Sequence, residues 1–290
     1  MAVAVPLAVR WAVRRGLAAP RMRETTTPAT TGLPFETVRI PSANGKALHG
    51  WLVLPVAMGP VPAVVVLHGW GGNAQHMLPV AAPLRDAGFA VLLIDARCHG
   101  LSDGDSFASL PRFAEDVSHA RDWLARRREI DAGRVAFLGH SVGAGAVLFA
   151  AARRGGVCAV VSVSAFAHPA EMMRRWLGAK PVPAIMVEWL LAYVERTIGH
   201  RFDEIAPLTS MARLDCPVLI VHGEQDEVVP PADALRLHAA GRAGQVELLR
   251  VPGDHESFDG LEHDFAAVVR FLRAAATAAA PGPSRPPAPG

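Results

Sequence analysis

The segment Gly139-His140-Ser141-Val142-Gly143 places a hydroxyl between two residues without side chains. A serine hydroxyl is a poor nucleophile until a base takes its proton. The pattern therefore carries weight only in the right surroundings. The apolar run Val135–Leu138 precedes it, and a small-residue helical segment, Ala144 to Arg153, follows and ends at Gly155-Gly156. Strand, sharp turn, then helix is the setting of a nucleophile elbow. Such a turn is strained and lifts the hydroxyl above the sheet, and only residues without bulk beside it let strand and helix approach closely. Ser141 is the candidate nucleophile.

A base and an acid must follow. On a sheet that carries such an elbow the chain order is serine, acid, histidine, and ligands gather at the carboxyl ends of the strands. The loop after the apolar run Pro217–Val221 reads His222-Gly223-Glu224-Gln225-Asp226-Glu227-Val228-Val229-Pro230. Three acids compete there. Asp226 is chosen because the Val-Val-Pro after it leads into the next helix at a suitable offset, with Glu224 as the second choice. The loop Pro252-Gly253-Asp254-His255-Glu256 follows the run Val246–Val251 and supplies the base, His255. His222 belongs to a strand end and His263 to a helix, so both are less suitable. The base would move the Ser141 proton, and the acid would fix its tautomer and stabilise the imidazolium.

A developing oxyanion needs N–H donors. The segment His68-Gly69-Trp70-Gly71-Gly72-Asn73 follows the run Ala63–Leu67, and its glycines free the backbone to aim such groups. The N–H of Trp70 and that of Val142, next to the nucleophile, are the expected pair.

These segments need a scaffold. Ala63–Leu67, Ala90–Ile94, Val135–Leu138, Ala159–Val163 and Pro217–Val221 are nearly continuous apolar runs, the pattern of strands buried on both faces of a parallel sheet. Between them, Phe113, Val117, Ala120 and Leu124, and later Leu261, Phe265, Val268, Val269 and Leu272, recur at helical spacing. The alternation predicts a doubly wound α/β sheet. Upstream, Glu36–Ile40 and Leu48–Leu54 predict an antiparallel hairpin turning at Asn44-Gly45.

Residues 166–206 break the alternation with helical periodicity and no strand. They are expected to form a helical cap whose apolar side chains cover a pocket, with Trp176 and Trp189 touching substrate. Residues 1–35 form an extension in which 4–19 read as a short basic helix, residues 36–278 the main domain, and residues 279–290 a Pro/Gly-rich disordered tail.

Composition narrows the function. The chain has 290 residues, 51% apolar and 19% charged, with a net charge of +2 and no dense Lys/Arg run, so nucleic acid is not an expected partner. Cys98, Cys158 and Cys216 are too few, and odd in number, for a disulfide framework, and lack the paired spacing of a zinc site. Reduced thiols point to the cytoplasm, and no metal is expected. No apolar run is long enough to span a membrane. The segment Met1 to Val9 lacks the preceding charges of a secretory signal. Trp11 and the arginines near it would fit an interfacial helix, so membrane-surface contact stays open.

Taken together, the motifs resemble the α/β-hydrolase family over roughly residues 36–275. His68-Gly69, the elbow, the Asp226 loop and the His255 loop stand in the family's order. Asp95-Ala96-Arg97-Cys98-His99-Gly100-Leu101-Ser102 also looks like the family's D-x-R-x-H-G-x-S loop, which borders the site. The resemblance is nearest to the serine esterase and serine-aminopeptidase-like branch. It implies hydrolysis of an ester, thioester or small amide, with no cofactor. The serine in the elbow disfavours branches that place Asp or Cys there. The expected activity is cleavage of an apolar carboxylic ester through an acyl-serine. Acyl transfer and small-peptide hydrolysis remain alternatives on the same residues, as does a non-catalytic ligand-binding protein of this fold.

Overall fold

Runs of Val, Leu and Ile too apolar to present either face to water pair with one another, and they build an eight-stranded sheet. The computed structural model describes residues 18–178, 182–256 and 259–279 together with Arg15, without the side chains of 259–264. The expected basic helix at 4–19 and the tail at 279–290 fall outside these residues, except for Arg15, Ala18, Ala19 and Ala279.

The strands are β1 (Glu36–Pro41), β2 (Ala47–Val53), β3 (Val61–Leu67), β4 (Ala90–Ile94), β5 (Ile130–His140), β6 (Val160–Val163), β7 (Val218–Gly223) and β8 (Val246–Val251). Their order across the sheet is β1-β2-β4-β3-β5-β6-β7-β8. β1 and β2 are antiparallel, β2 is antiparallel to β4, and every other neighbour is parallel. The hairpin turns where expected. Asn44 (φ 59°) and Gly45 (φ 65°) both take left-handed backbone, and the Lys46 N–H donates to the Ala43 carbonyl at 3.2 Å.

The helices are α1 (Ala81–Asp86), α2 (Leu110–Leu124), α3 (Val142–Arg154), α4 (Pro169–Gly178), α5 (Ala184–Ile198), α6 (Phe202–Ile205), α7 (Pro207–Met211), α8 (Pro231–Ala240) and α9 (Asp259–Ala278). They cover both faces of the sheet. Val65, Leu67 and Phe137 point to one face and pack with Phe113 and Val117 of α2 and Val147 and Leu148 of α3. Val64, Val66 and Leu138 point to the other and pack with Leu84 of α1 and Val268 and Leu272 of α9. The period of two along each strand makes this division. Each fully buried Val or Leu contributes about 1.5–3 kcal/mol.

Residues 166–206 hold α4, α5 and α6 and no strand. Leu177, Val187, Leu191 and Val194 join the core that contains Val147. Arg175 and Glu171 of α4 pair with Asp233 and Arg236 of α8 at 2.8 and 2.6 Å. These contacts anchor the excursion to the helix that follows the Asp226 loop.

Candidate active site

β5 ends at His140, so the chain leaves the centre of the sheet at Ser141 and enters α3 at the next residue. Ser141 has φ 55° and ψ −117°, a conformation that side chains rarely adopt. The Ser141 N–H donates to the Val163 carbonyl at 2.9 Å, and the Gly145 N–H donates to the Ser141 carbonyl at 3.1 Å. A Cβ on Gly139 would strike the backbone of Gly143, and one on Gly143 would lie 2.7 Å from the Leu67 carbonyl oxygen and closer still to that of His68. The elbow glycines are thus fixed by close approach of backbone to backbone.

Three residues distant in sequence meet at this turn. His255 Nε2 lies 3.0 Å from Ser141 Oγ, and His255 Nδ1 lies 2.8 Å from Asp226 Oδ2. Asp226 is buried, and its Oδ1 accepts the N–H groups of Val228 and Val229 at 3.0 and 2.7 Å. Burial alone would raise its pKa, but the His255 hydrogen bond and the Val229 N–H outweigh that and hold it below the usual carboxylate range. A carboxylate only accepts, so His255 Nδ1 carries the proton and donates it. That leaves the lone pair of Nε2 facing the Ser141 hydroxyl. The rival acids Glu224 and Glu227 are exposed, and Glu224 faces Arg250 at 3.5 Å. His222 is buried and donates from Nε2 to the Val229 carbonyl at 2.9 Å, which braces the acid loop. The side chain of His263 lies outside the described residues.

The loop after β3 is set by His68, which is wholly buried. Its Nε2 accepts the Ala96 N–H at 3.0 Å, so its Nδ1 carries the proton and donates to the Gly69 carbonyl at 2.6 Å. Burial, with His99 beside it, keeps this ring neutral by lowering its pKa well below the ordinary value. The peptide joining Gly69 to Trp70 is planar and trans, so pinning its carbonyl also fixes the direction of the Trp70 N–H. Among the described residues, that N–H has no hydrogen-bond partner. Val142 opens α3, and its N–H has no acceptor within the helix. The Trp70 ring stacks on Phe113 with centroids 6.3 Å apart.

Three sets of contacts escaped the sequence reading. His140 donates from Nε2 to the His255 carbonyl at 2.8 Å, tying the elbow to the histidine loop. Burial, with the His255 ring beside it, pushes its pKa down to about 4. Asp95 accepts the N–H groups of Ala74 and Leu101 at 2.7 and 2.8 Å, and so fastens the loop after β3 to the turn after β4. The segment before β1 lies across both loops. Arg21 donates to the Gly100 carbonyl at 2.9 Å, Asn73 donates to the Met22 carbonyl at 3.1 Å, and the Thr26 N–H donates to Gln75 at 3.0 Å. In the turn after β4, Arg97 is buried against Asp116 at 2.7 Å, an architectural ion pair.

Trp176 stands on α4 and Trp189 on α5, 60% and 44% exposed, and Trp189 stacks on Tyr193. The three cysteines are free. Among the described residues no helix is long and apolar enough to cross a membrane.

The model of the family described as serine aminopeptidase, S33, matches residues 59–205. An uncharacterized protein of Mycobacterium tuberculosis is 30% identical over 239 residues, covering 81% of this chain and 78% of its own length. The α/β hydrolase domain-containing protein WAV2 of Arabidopsis thaliana is 28% identical over 229 residues, covering 75% of this chain and 70% of its own. Among solved structures, a Pyrococcus furiosus esterase superposes with a TM-score of 0.70 at 24% identity, covering 88% of this chain and 98% of its own. Est1E of Butyrivibrio proteoclasticus, with ferulic acid bound, gives 0.66 at 23% identity, covering 83% and 99%. At these identities the structures speak to the fold.

Proposed function

The chain belongs to the serine aminopeptidase family of α/β hydrolases, and from that premise we propose that it cleaves an apolar carboxylic ester through an acyl-serine intermediate. It is a hydrolase by family. The observation that carries the finer reading is the hydrogen-bonded line from Ser141 through His255 to Asp226, set on a strained elbow.

In this reading the Ser141 Oγ attacks the ester carbonyl carbon while His255 Nε2 takes the hydroxyl proton. The carbonyl oxygen gains the electron pair and is held by the N–H groups of Trp70 and Val142. Collapse of the tetrahedral adduct breaks the bond to the alkoxide, which leaves with the proton from His255. Water then repeats the sequence and frees the acid. Asp226 stays a carboxylate throughout, orients the ring, and offsets the imidazolium charge. Helices α4 to α6 would form the cap, with Trp176 and Trp189 offering apolar surface to the acyl or alcohol group. The three free thiols fit a reducing compartment such as the cytoplasm.

The test is turnover of p-nitrophenyl esters of increasing acyl length by wild type and by Ser141→Ala. Wild type is expected to cleave some lengths, and the variant to lose on the order of a million-fold in kcat. Equal rates in both proteins remove Ser141 from the chemistry. Activity confined to small amides or to acyl acceptors other than water replaces the ester reading.

A further inference from the structure

Behind the loop after β3, a second group of side chains gathers from three separate parts of the chain. Glu24 comes from the segment before β1, His49 from β2, and Asp95 from the end of β4. One ligand atom from each lies within 4.8 Å of the other two. His49 and Asp95 are buried, at 6% and 0% exposure. A Cβ at Gly100 would collide with both Asp95 Oδ2 and Glu24 Oε1, so the two carboxylates meet over that glycine.

The polar atoms here are not satisfied. Both oxygens of Glu24 and Nε2 of His49 are buried with no hydrogen-bond partner among the described residues. A buried polar atom without a partner is destabilising, and more so if it is charged. Two carboxylates cannot hydrogen-bond to each other without a proton between them. Of the nearby cations, Arg21 directs its donors to the Gly100 and Ser102 carbonyls, and Arg39, across from His49, directs its donors to the Leu101 carbonyl and Asp103, so neither pairs with Glu24 or Asp95. Each Asp95 oxygen takes one backbone N–H and keeps a second lone pair.

The geometry points to a divalent-cation site formed by Glu24, His49 and Asp95, which clasps the N-terminal segment onto the loops beside Ser141. Two carboxylate oxygens and one imidazole nitrogen suit Zn2+, or Mn2+ as a near relative, better than the all-oxygen preference of Ca2+. Zn2+ ligand bonds of about 2.0–2.2 Å put neighbouring ligand atoms roughly 3.3–3.5 Å apart, which side-chain torsions can reach from the present spacing. Three protein ligands leave a fourth position for water. Because Asp95 also holds Ala74 and Leu101, the ion would fix the outer end of the loop that presents the Trp70 N–H.

The experiment uses the full chain, stripped with EDTA and desalted, then titrated with ZnCl2 by calorimetry and thermal unfolding. Wild type is expected to take up one Zn2+ per chain and to gain roughly 5–10 °C in Tm at 100-fold excess over Kd. Glu24→Gln and His49→Gln should each lose that uptake and that gain. Glu24 is only half-buried, so its variant tests the site even if the His49 variant fails to fold. Absence of uptake by wild type, or unchanged uptake by Glu24→Gln, overturns the site. If wild type takes up no Zn2+ and Glu24→Gln leaves the Tm of the stripped protein unchanged or lower, the two carboxyls share a proton instead and the cation site is wrong.

Discussion

Asp226 and Asp95 occupy equivalent places and carry charge in opposite ways. Each lies just beyond the carboxyl end of a parallel strand, is buried, and accepts two backbone N–H groups. The third neighbour differs. Asp226 faces a ring N–H of His255 and is held below the usual carboxylate range, whereas Asp95 faces Glu24 and is pushed up to about 8. Burial opposes the charge in both. What decides the outcome is whether the side chain opposite donates a proton or competes for one. The same strand-end position thus yields a fixed anion on one side of Ser141 and a frustrated carboxyl pair on the other.

Breaking the Asp226 side should have the largest effect. Asp226→Asn keeps the shape but presents an amide N–H₂ or a weaker acceptor to His255, which favours the wrong tautomer. The expected loss is about ten-thousand-fold in kcat, measured on the best p-nitrophenyl ester, with the thermal midpoint little changed. A loss under tenfold would make Asp226 a loop charge and would equate it with Asp95 after all.

The ring between the two sides allows a sharper comparison. His140 is neutral in the fold, with its pKa lowered to about 4, whereas an unfolded histidine titrates near 6.5. Below pH 6.5 the unfolded chain therefore binds a proton that the folded chain refuses. Stability should fall as pH drops from about 6.5 to 4, by up to ~3 kcal/mol from this residue. His140→Gln, which can still donate to the His255 carbonyl, should flatten that part of the urea-unfolding free energy against pH. An unchanged acid limb would mean that other buried histidines, such as His68 and His99, carry it.

The smallest effect belongs to the Asp95 side. In EDTA-stripped protein, Glu24→Gln removes the charge facing Asp95. The expected gain is roughly 2–4 °C in Tm. The matching neutralisation at Asp226 should bring no such gain. A fall in Tm would show that Glu24 holds the segment before β1 by contacts that outweigh the repulsion.

Much of this arrangement can be read along the chain. The strands β3, β4 and β7 are local apolar runs, and the hairpin turn is written in Asn44-Gly45, whose backbone signs follow from those two residue types. The elbow is also local, since its glycines lie two residues either side of Ser141. The choice among Glu224, Asp226 and Glu227 was a narrower inference, because three acids within four positions differ only in which one the curve of the loop turns inward. The segment before β1 has no periodicity, and its contacts with Gly100, Asn73 and Gln75 left no pattern to find. The expectation of no metal rested on cysteine spacing, and Glu24, His49 and Asp95 share no spacing that could have signalled a site.

The sequence by itself determined the layered α/β scaffold and the strained serine turn, because each depends on residues a few positions apart. The tertiary structure decided which acid meets His255, which tautomer His68 and His140 adopt, and that Glu24 lies against Asp95. Charge and proton position depend on burial and on partners about 3 Å away in space. In sequence, those partners stand 29, 28 and 115 residues apart.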